Sequence, residues 1–381
     1  MSYDIAVVGA GVFGVWTAYQ LSLNGAAVLL LDAYGPGNSR ASSGGESRIM
    51  RLGYGPDEIY SRSAQRSLVR WQQLSESLDQ VLFEPTGVLW LAREHDPYCE
   101  ATLTTLQLIN AKCETLDHNE LVQRFPQLDL APVAWGILEP DSGVLLARRA
   151  VQAVAAQARA NGVEYHEDAI APPQGVHGKL KSIQTVYGKE ISADRYVFAC
   201  GPWLPKLFPE LLGDLIHVTR QEVFFFGVPP GDSLFGRGAL PTWIDFNDLV
   251  YGMPNLDGRG LKLAIDAHGP EFDPDSGERL VSTSGLKAVR EYLAQRLPRL
   301  VDAPVTETRV CQYENTWNGD FLIDRHPEFE NVWIVGGGSG HGFKHGPAVG
   351  EYVAGIVSGT GKLETRFSLA SKQRVQERKV F

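Results

Sequence analysis

Short apolar runs and longer apolar segments alternate at both ends of the chain. Residues 4–8 and 26–31 have the length and composition of buried strands, and residues 12–21 between them are long enough for a helix. Near the other end, residues 332–335 form a further buried strand and residues 347–357 a further helix. This order predicts an α/β protein built around a parallel sheet.

The middle of the chain mixes the two patterns. Residues 57–78 carry apolar side chains near one helical face, and residues 148–161 form an alanine-rich helix followed by a glycine that suits its C-terminal cap. Strand-like runs occupy residues 81–91, 163–165, 183–187, 195–199, 218–228 and 261–265. The tail, residues 368–374, is polar and is expected to be solvated.

A glycine pattern follows the first strand. Gly9, Gly11 and Gly14 form Gly-x-Gly-x-x-Gly between strand and helix, and Asp32 ends the second strand. The first glycine makes a tight turn, the second lets the backbone approach a pyrophosphate, and the third allows the helix to pack on the strand. The helix N-terminus attracts phosphate, and the acid accepts hydrogen bonds from ribose hydroxyls. The pattern predicts a dinucleotide site, and a second glycine loop at residues 336–342 suggests one ligand held by both ends of the chain.

The composition of the chain limits the classes of protein to which it can belong. The 381 residues are 44% hydrophobic and 21% charged, which is typical of a globular protein with two structural units. The net charge of −10 argues against nucleic acid or an anionic membrane as a partner, and no apolar run approaches the roughly 20 residues that span a bilayer. The four cysteines lack metal-type spacing, so no metal is expected. Without an export signal, we expect reduced thiols and a cytoplasmic protein.

Six groups of residues together carry a family resemblance. Besides the N-terminal glycine motif, they are 42–51 (Ser-Ser-Gly-Gly-Glu-Ser-Arg-Ile-Met-Arg) with 53–55 (Gly-Tyr-Gly), 199–203 (Ala-Cys-Gly-Pro-Trp), 260–263 (Gly-Leu-Lys-Leu), 311–313 (Cys-Gln-Tyr) with 320–324 (Asp-Phe-Leu-Ile-Asp), and 339–344 (Ser-Gly-His-Gly-Phe-Lys). The chain resembles, over nearly its whole length, the D-amino-acid-oxidase-like family of FAD amine oxidases. Within that family it is similar to the branch of monomeric sarcosine oxidase and N-methyltryptophan oxidase.

The resemblance implies an α/β fold (α+β overall). A Rossmann-like FAD-binding domain would be interrupted by a substrate domain with a mixed, largely antiparallel sheet. We assign residues 1–82, 147–205 and 318–381 to the FAD-binding domain, and residues 83–146 and 206–317 to the substrate domain. The family branch also leads us to expect a monomer.

The resemblance also implies a set of residues that contact FAD. In the sarcosine oxidase branch, the cysteine that matches Cys311 is bonded through sulfur to the 8-methyl carbon of the flavin. Without that context, a lone cysteine in an apolar strand is usually a small core residue. The implied FAD contacts are Gly9, Gly11, Val12, Phe13, Gly14, Asp32, Ser43, Arg48, Ile170, Cys311, Gly338, Gly340, Gly342, Phe343 and Lys344.

Two arginines and a lysine are implied near the substrate. Arg48 would lie close to the flavin, and Arg51 would bind a substrate carboxylate, for which a guanidinium offers two parallel N–H groups. Lys344, from the opposite end of the chain, would be the second carboxylate partner. Two solvated or ion-paired arginines and a solvated lysine are the alternative.

Lys262 lies within an otherwise apolar strand, on the face opposite Leu261 and Leu263. It could be a solvent-facing lysine of an edge strand. In the resembling enzymes the matching lysine sits over the flavin and promotes its reaction with oxygen, where a fixed cation favours superoxide formation. Tyr251 and Tyr313 match aromatic positions that line the substrate cavity, although buried tyrosines often belong simply to the core.

Asp266 is a departure from the family pattern. The sarcosine oxidase branch carries an active-site histidine four residues after the lysine, where this chain has Asp266. His268 would need a register shift to replace it. An aspartate changes the charge over the flavin and could receive a cationic substrate group, so sarcosine itself is in doubt as the substrate.

We therefore expect a flavin-dependent oxidase of a small carboxylate-bearing amine, a secondary one with an N-methyl group or a ring. Hydride transfer to FAD would give an imine, and oxygen would be reduced to hydrogen peroxide. One alternative is a dehydrogenase of the same fold that passes electrons to a quinone or a protein. Another is a non-catalytic FAD-binding protein. Nicotinamide binding alone conflicts with the C-terminal glycine loop and Cys311.

Overall fold

The structure, a computed structural model, describes residues 3–175 and 177–373. Its strands are β1 (Tyr3–Val8), β2 (Val28–Asp32), β3 (Arg48–Met50), β4 (Phe83–Glu84), β5 (Val88–Ala92), β6 (Glu114–Asp117), β7 (Trp135–Glu139), β8 (Gly143–Leu145), β9 (Glu164–Glu167), β10 (Ile183–Gln184), β11 (Glu190–Ile191), β12 (Ala193–Phe198), β13 (Ile216–Phe226), β14 (Thr242–Asp245), β15 (Val250–Met253), β16 (Leu261–Ile265), β17 (Val305–Thr316), β18 (Leu322–Arg325) and β19 (Val332–Gly336). Its α-helices are α1 (Val12–Leu23), α2 (Glu58–Ser77), α3 (Pro97–Leu108), α4 (His118–Arg124), α5 (Ala147–Ala160), α6 (Leu204–Leu207), α7 (Pro209–Leu212), α8 (Thr283–Arg296) and α9 (Gly346–Val357).

A six-stranded sheet gathers both ends of the chain. Its order is β18-β19-β12-β1-β2-β9, parallel except for the edge strand β18. Side chains of β1 alternate between its two faces: Ile5 and Val7 pack in the cluster that contains α1, α5 and α9, and Ala6 and Val8 pack in the cluster on the other face. Both faces are covered, as a parallel sheet requires.

The second large sheet has eight strands. Its order is β17-β13-β16-β15-β14-β5-β7-β6, antiparallel except for the β14–β5 pair. One face packs against α8 through side chains such as Leu261, Leu263 and Leu293. The other face, with Phe225 and Ala264, turns toward the candidate site. These two sheets confirm the predicted fold class: mixed α/β, with a parallel sheet and a largely antiparallel one.

Two small sheets complete the fold. One has the order β3-β8-β4 and is antiparallel, and it joins segments that the sequence led us to assign to different domains. The other is the β10–β11 pair. The strand predicted over residues 183–187 is therefore shorter, because the chain turns at residues 186–189 to reach β11.

The expectation of a solvated tail is wrong at Lys372, whereas Ala370 is exposed. Lys372 is fully buried, and its ammonium donates hydrogen bonds to the carbonyl oxygen of Arg366 and to Ser371 Oγ, at 2.9 and 3.1 Å. Leu369–Gln373 form a short 3-10 helix against β18. Arg374 lies outside the described residues. The polar pattern misled because hydrogen bonds to backbone and hydroxyl groups can satisfy a buried ammonium.

Two features are absent from the residues that the structure describes. No helix within residues 3–175 and 177–373 is both long and apolar enough to cross a bilayer. In the same part of the chain, no group of three or more His, Cys, Asp and Glu side chains is arranged to hold a metal ion.

Candidate active site

A cavity of about 430 Å³ opens at the carboxyl ends of the parallel strands. Its lining includes Gly9 after β1, Asp32 at the end of β2, residues 199–203 after β12 and residues 338–340 after β19. Loops at this edge of a parallel α/β sheet are the usual place for ligands. We call this space the nucleotide cavity.

The N-terminal glycines hold the first strand, helix and neighbouring loop in close contact. Gly9 has φ +102°, and a Cβ there would overlap the Ala199 carbonyl oxygen. A Cβ at Gly14 would overlap the Gly9 carbonyl oxygen. Any side chain at either position would push α1 or the 199–201 loop away. Ser43 Oγ accepts a hydrogen bond from the Val12 N–H at 3.0 Å, in the first turn of α1.

Asp32 is fixed in place by backbone donors. Its Oδ2 accepts the Ala10 N–H at 2.7 Å, and its Oδ1 accepts the Tyr34 N–H at 2.9 Å. Burial raises the pKa of Asp32, although the N–H groups around it favour the charged form. The side chain still lines the nucleotide cavity, and each carboxylate oxygen keeps a lone pair beyond the one that accepts a backbone N–H.

The nucleotide cavity brings together thirteen of the fifteen residues expected to contact FAD. Gly14 lies behind the cavity wall in the contact between helix and strand. Lys344 lines the neighbouring cavity instead, described next. The thirteen are Gly9, Gly11, Val12, Phe13, Asp32, Ser43, Arg48, Ile170, Cys311, Gly338, Gly340, Gly342 and Phe343.

A smaller cavity of about 70 Å³ adjoins the nucleotide cavity. The two share Arg48, Cys311, Tyr313, Gly340 and Phe343 in their walls. We call the smaller space the amine cavity. All the residues that the sequence placed near the substrate also line it, namely Arg51, Tyr251, Lys262, Asp266, Tyr313 and Lys344.

Two buried cations meet around Tyr54 at one end of the amine cavity. The Arg51 guanidinium donates to the Gly53 carbonyl oxygen and lies 4.2 Å from the Tyr54 ring centroid. Lys344 Nζ donates to the Tyr54 hydroxyl at 2.6 Å and to the His341 carbonyl oxygen at 2.9 Å. Burial, with help from Arg51, holds the pKa of Lys344 well below its usual range. Among the residues described, no carboxylate forms an ion pair with either cation.

A buried carboxylate sets the backbone on which Arg51 sits. Glu139 accepts hydrogen bonds from the N–H groups of Leu52 and Gly53, at 2.7 and 3.1 Å, and from Trp90 Nε1 at 2.8 Å. The Trp90 ring centroid lies 5.1 Å from the Arg51 guanidinium. Glu139 therefore fixes the loop after β3 without pairing directly with the arginine.

Asp266 lies in the same cavity as the two cations. Its Oδ1 accepts a hydrogen bond from the Tyr313 hydroxyl at 2.8 Å. Burial raises the pKa of Asp266 to about 6, while Tyr313, Arg51 and Lys344 act in the opposite direction. His268 lines neither cavity and makes an edge-to-face contact with His217. The carboxylate at position 266, with no register shift, is thus the group that faces the amine cavity.

Lys262 is buried on the cavity face of β16. This strand lies between β13 and β15, so the edge-strand alternative is wrong. Leu261 and Leu263 pack on the opposite face, as the alternation predicted. Lys262 Nζ donates to the carbonyl oxygen and to Oγ of Ser47, at 3.0 and 3.1 Å, and lies 5.6 Å from the Tyr251 ring centroid. Burial and the neighbouring Arg48 hold its pKa well below the usual range.

Arg48 and Cys311 meet where the two cavities join. The Arg48 guanidinium donates to the carbonyl oxygens of Ser42 and Ser47, at 2.5 and 2.7 Å, and its Nη2 lies 3.5 Å from Cys311 Sγ. Gly45 makes this fold of the loop possible, because a Cβ there would lie 2.5 Å from Arg48 Nη1. The Cys311 thiol therefore lies in contact with a buried guanidinium at the junction of the two cavities.

Some residues of the site were not anticipated from the sequence. Tyr54 contacts both Arg51 and Lys344, and its hydroxyl lies 2.7 Å from His345 Nε2 and 3.3 Å from His341 Nδ1. Glu139 supports Arg51, and Glu314 lines the nucleotide cavity. The signals were a tyrosine inside a Gly-Tyr-Gly segment and acids within apolar strands, which local periodicity alone does not distinguish from solvated positions.

Known proteins are similar to this chain in sequence and in architecture. The model of the DAO family, FAD dependent oxidoreductase, matches residues 4–356. Monomeric sarcosine oxidase from Bacillus sp. (strain B-0618) is 31% identical, over 98% of this chain and 96% of its own length. N-methyl-L-tryptophan oxidase from Salmonella arizonae is 27% identical, over 93% of this chain and 94% of its own length. L-proline dehydrogenase from P. horikoshii has the same fold, with a TM-score of 0.84 at 23% identity over 97% of both chains. The chain therefore belongs to the DAO family of FAD-dependent oxidoreductases.

Proposed function

We propose that this protein oxidises a small secondary amine that carries a carboxylate, with oxygen as the electron acceptor and hydrogen peroxide as a product. The observation that carries the proposal is the amine cavity, where buried Arg51 and Lys344 converge without a carboxylate partner in the described chain. Burying a charged guanidinium and a charged ammonium without an ion-pair partner is costly, and a ligand carboxylate would supply the anion that stabilises both charges. The sequence relatives act on sarcosine and N-methyl-L-tryptophan by name, which supports an N-methyl or cyclic amino acid here.

The residues of the nucleotide cavity fit FAD. The glycine cradle excludes side chains, residues 11–13 bring the N-terminus of α1 to the cavity wall, and Asp32 offers acceptors for ribose hydroxyls. At the other end the Cys311 thiol faces the junction of the two cavities, where a covalent thioether to the flavin is our proposal. We also propose the division given above: segments 1–82, 147–205 and 318–381 hold FAD, and segments 83–146 and 206–317 enclose the substrate.

The chain's own groups would hold an amino acid in one orientation. Arg51 and Lys344, which we call the carboxylate clamp, bind its carboxylate at one end of the amine cavity. Tyr251 and Tyr313 form an aromatic wall. Asp266 is placed to hold the ammonium group and to accept the proton that the amine must lose before its carbon can be oxidised. Holding carboxylate and amine at once places the carbon between them toward the junction with the nucleotide cavity.

FAD, when bound, supplies the acceptor for the hydride equivalent from the carbon next to nitrogen. Lys262 acts at the later stage, because a cation on the wall of the amine cavity stabilises the negative charge that oxygen gains as it is reduced. Arg48 holds the loop of small residues against Cys311. Together these residues bind, orient and exclude water, and Asp266 handles the proton.

The test is an anaerobic titration of the purified yellow protein with matched pairs of amines. L-proline is compared with pyrrolidine, and N-methylglycine with N-methylethylamine, while the flavin absorbance is followed. The carboxylates are expected to act at concentrations at least about 30-fold lower, since losing one partner of a buried charge pair costs about 2 kcal/mol or more. Arg51→Met should remove this preference. Arg62→Met, on the exposed side of α2, should leave it unchanged.

Each rival function gives a different result. Equal action of pyrrolidine and proline would refute the carboxylate clamp. A yellow protein that no amine bleaches would be a non-catalytic FAD-binding protein. Bleaching without peroxide formation, with oxygen as the sole acceptor, would indicate a dehydrogenase that uses a quinone or a protein.

A further inference from the structure

A third cavity, of about 210 Å³, shares a wall with the amine cavity. Four side chains line both spaces, those of Glu46, Phe225, Met253 and Lys262. The residues that line only the third cavity include Ser47, Leu146, Arg149, Gln152, Leu256 and Asp257. We call this space the vestibule. A single layer of side chains separates it from the amine cavity.

The vestibule runs from the protein surface to a buried inner end. At its mouth, Arg149 of α5 and Asp257, in the turn before β16, form an ion pair at 3.1 Å, and their side chains are 50% and 51% exposed. At its inner end, Phe225, Met253 and Lys262 are 4%, 1% and 2% exposed. An exposed ion pair contributes little to stability, so the mouth is not held shut.

Lys262 belongs to both the vestibule and the amine cavity. Its Nζ donates to the carbonyl oxygen and to Oγ of Ser47, at 3.0 and 3.1 Å. Ser47 lines the vestibule and not the amine cavity, so a residue of the vestibule wall holds this ammonium group. Beside it, the Met253 side chain is unbranched and changes rotamer easily. Such a wall closes the space without sealing it against a diatomic molecule.

Oxygen needs a route that the amine does not occupy. The amine cavity measures only about 70 Å³, and Arg51 and Lys344 within it are 4% and 5% exposed. An amino acid or an imine bound there leaves little room beside it. In the proposed oxidation, oxygen gains two electrons and one proton from the reduced flavin and a second proton from water. A space that is open to water and ends at Lys262 can admit oxygen and this proton and can release hydrogen peroxide.

We propose that oxygen reaches Lys262 through the vestibule and that hydrogen peroxide leaves by the same route, while the amino acid or its imine occupies the amine cavity. The inference rests on the oxidase activity proposed above and assigns the vestibule to its second half-reaction. The vestibule therefore takes small uncharged molecules. An indole placed in it should block oxygen and leave the carboxylate clamp untouched.

Contact with oxygen is measured by NMR on the methionine methyl groups of the oxidised, FAD-loaded protein. The chain has three methionines, of which Met253 lines the vestibule and Met50 is fully buried and lines none of the three cavities. Paramagnetic oxygen should broaden the Met253 signal more than the Met50 signal, also with trimethylglycine in the amine cavity. Gln152→Trp and Leu256→Trp should each reduce this broadening to the level of Met50. Ala160→Trp, exposed about two turns further along α5, should not.

The rate of reoxidation connects this contact to the reaction. The flavin is first reduced by light in the absence of amine and is then mixed with oxygen. In the Gln152→Trp and Leu256→Trp proteins it should react about tenfold more slowly than in the wild-type and Ala160→Trp proteins, because their route for oxygen is obstructed. Anaerobic reduction by L-proline should be the same in all four, since the amine cavity keeps its clamp.

Three results would overturn the proposal. The first is equal broadening of Met253 and Met50 in the wild-type protein. The second is unchanged broadening of Met253 in both Gln152→Trp and Leu256→Trp, which would place its contact with oxygen in the amine cavity. The third is fast reoxidation in a variant that protects Met253 from oxygen. A wild-type flavin that does not react with oxygen would refute the oxidase activity itself, and the methyl measurement, which needs no reaction, distinguishes that failure from the other three.

Discussion

Replacing Asp266 by Asn is the most direct test of how the amine cavity selects its ligand. The substitution keeps the size of the side chain. It also leaves an amide oxygen to accept the hydrogen bond that the Tyr313 hydroxyl donates to Asp266 Oδ1 in the wild-type protein, at 2.8 Å. It removes the negative charge opposite Arg51 and Lys344. If Asp266 holds the cationic end of a zwitterion, only ligands with a positive nitrogen should respond.

The size and sign of the effect follow from the raised pKa of Asp266. With a value of about 6, the carboxyl group is about nine-tenths ionised at pH 7 and about one-tenth ionised at pH 5. The charge that attracts an ammonium is present above this pKa and is lost as the pH falls through it. A cationic ligand should therefore bind about tenfold more weakly at pH 5 than at pH 7.

The assay uses two dead-end ligands of the same shape. Trimethylglycine carries a permanent cation and a carboxylate that stays ionised from pH 5 to pH 8, and 3,3-dimethylbutanoate replaces the nitrogen by carbon. Binding is followed as a change in the flavin absorbance spectrum. At pH 7 the wild-type protein should prefer trimethylglycine by at least about tenfold, since a charge pair some 5 Å apart contributes on the order of 3 kcal/mol. The Asp266→Asn protein should lose this preference and its pH dependence.

The reasoning fails if both proteins bind the two ligands alike. It also fails if trimethylglycine binds the Asp266→Asn protein with the same loss between pH 7 and pH 5, because the titrating group would then lie elsewhere. Weaker binding of both ligands to the Asp266→Asn protein, with their ratio unchanged, would assign Asp266 a structural role under Tyr313. Because neither ligand is oxidised, turnover cannot obscure these outcomes.

Three further predictions concern other residues. Lys262→Met should slow reoxidation by oxygen about 100-fold and leave anaerobic reduction nearly unchanged, and equal slowing of both steps would contradict this role. Because burial lowers the pKa of Lys262, reoxidation of the wild-type protein should accelerate as the pH falls and the lysine becomes charged. Acid precipitation should leave the flavin colour in the pellet of wild-type protein and in the supernatant of Cys311→Ala, so a yellow wild-type supernatant would exclude the thioether. Arg296→Met should reduce the free energy of unfolding in urea by about 3–5 kcal/mol, since Arg296 donates to buried Asp245 at 2.7 Å. Exposed Lys287→Met on the same helix should change it by less than about 0.5 kcal/mol, and similar losses in both would refute the assignment.

The parts of the fold that local patterns determine were predicted well. Strands at residues 4–8, 261–265 and 332–335 and helices near 57–78 and 148–161 lie where the apolar spacing placed them. The family was predicted from motifs, and its model match over residues 4–356 confirms it. These successes share a cause: a buried strand or an amphipathic helix is determined mainly by its own residues.

The supporting residues of the site could not be predicted in this way. Tyr54 contacts Lys344 across 290 positions of sequence, and Glu139 reaches Leu52 across 87. Neither contact leaves a trace in local spacing. Lys372 looked solvated for a different reason: its partners Arg366 and Ser371 are near in sequence, but its burial follows from the packing of the tail on β18.

The charges in the amine cavity select a ligand only when they act together. Arg51 and Lys344 alone would fit any small anion, and Asp266 alone would fit any small cation. With both signs facing one small cavity, an anion bound by Arg51 and Lys344 reduces their repulsion of a cation at Asp266. A cation bound by Asp266 in turn reduces the repulsion between Asp266 and that anion. A zwitterion does both at once, so it should bind more tightly than the sum of its two halves. We therefore expect an amino acid to bind this cavity more tightly than either a simple amine or a simple acid.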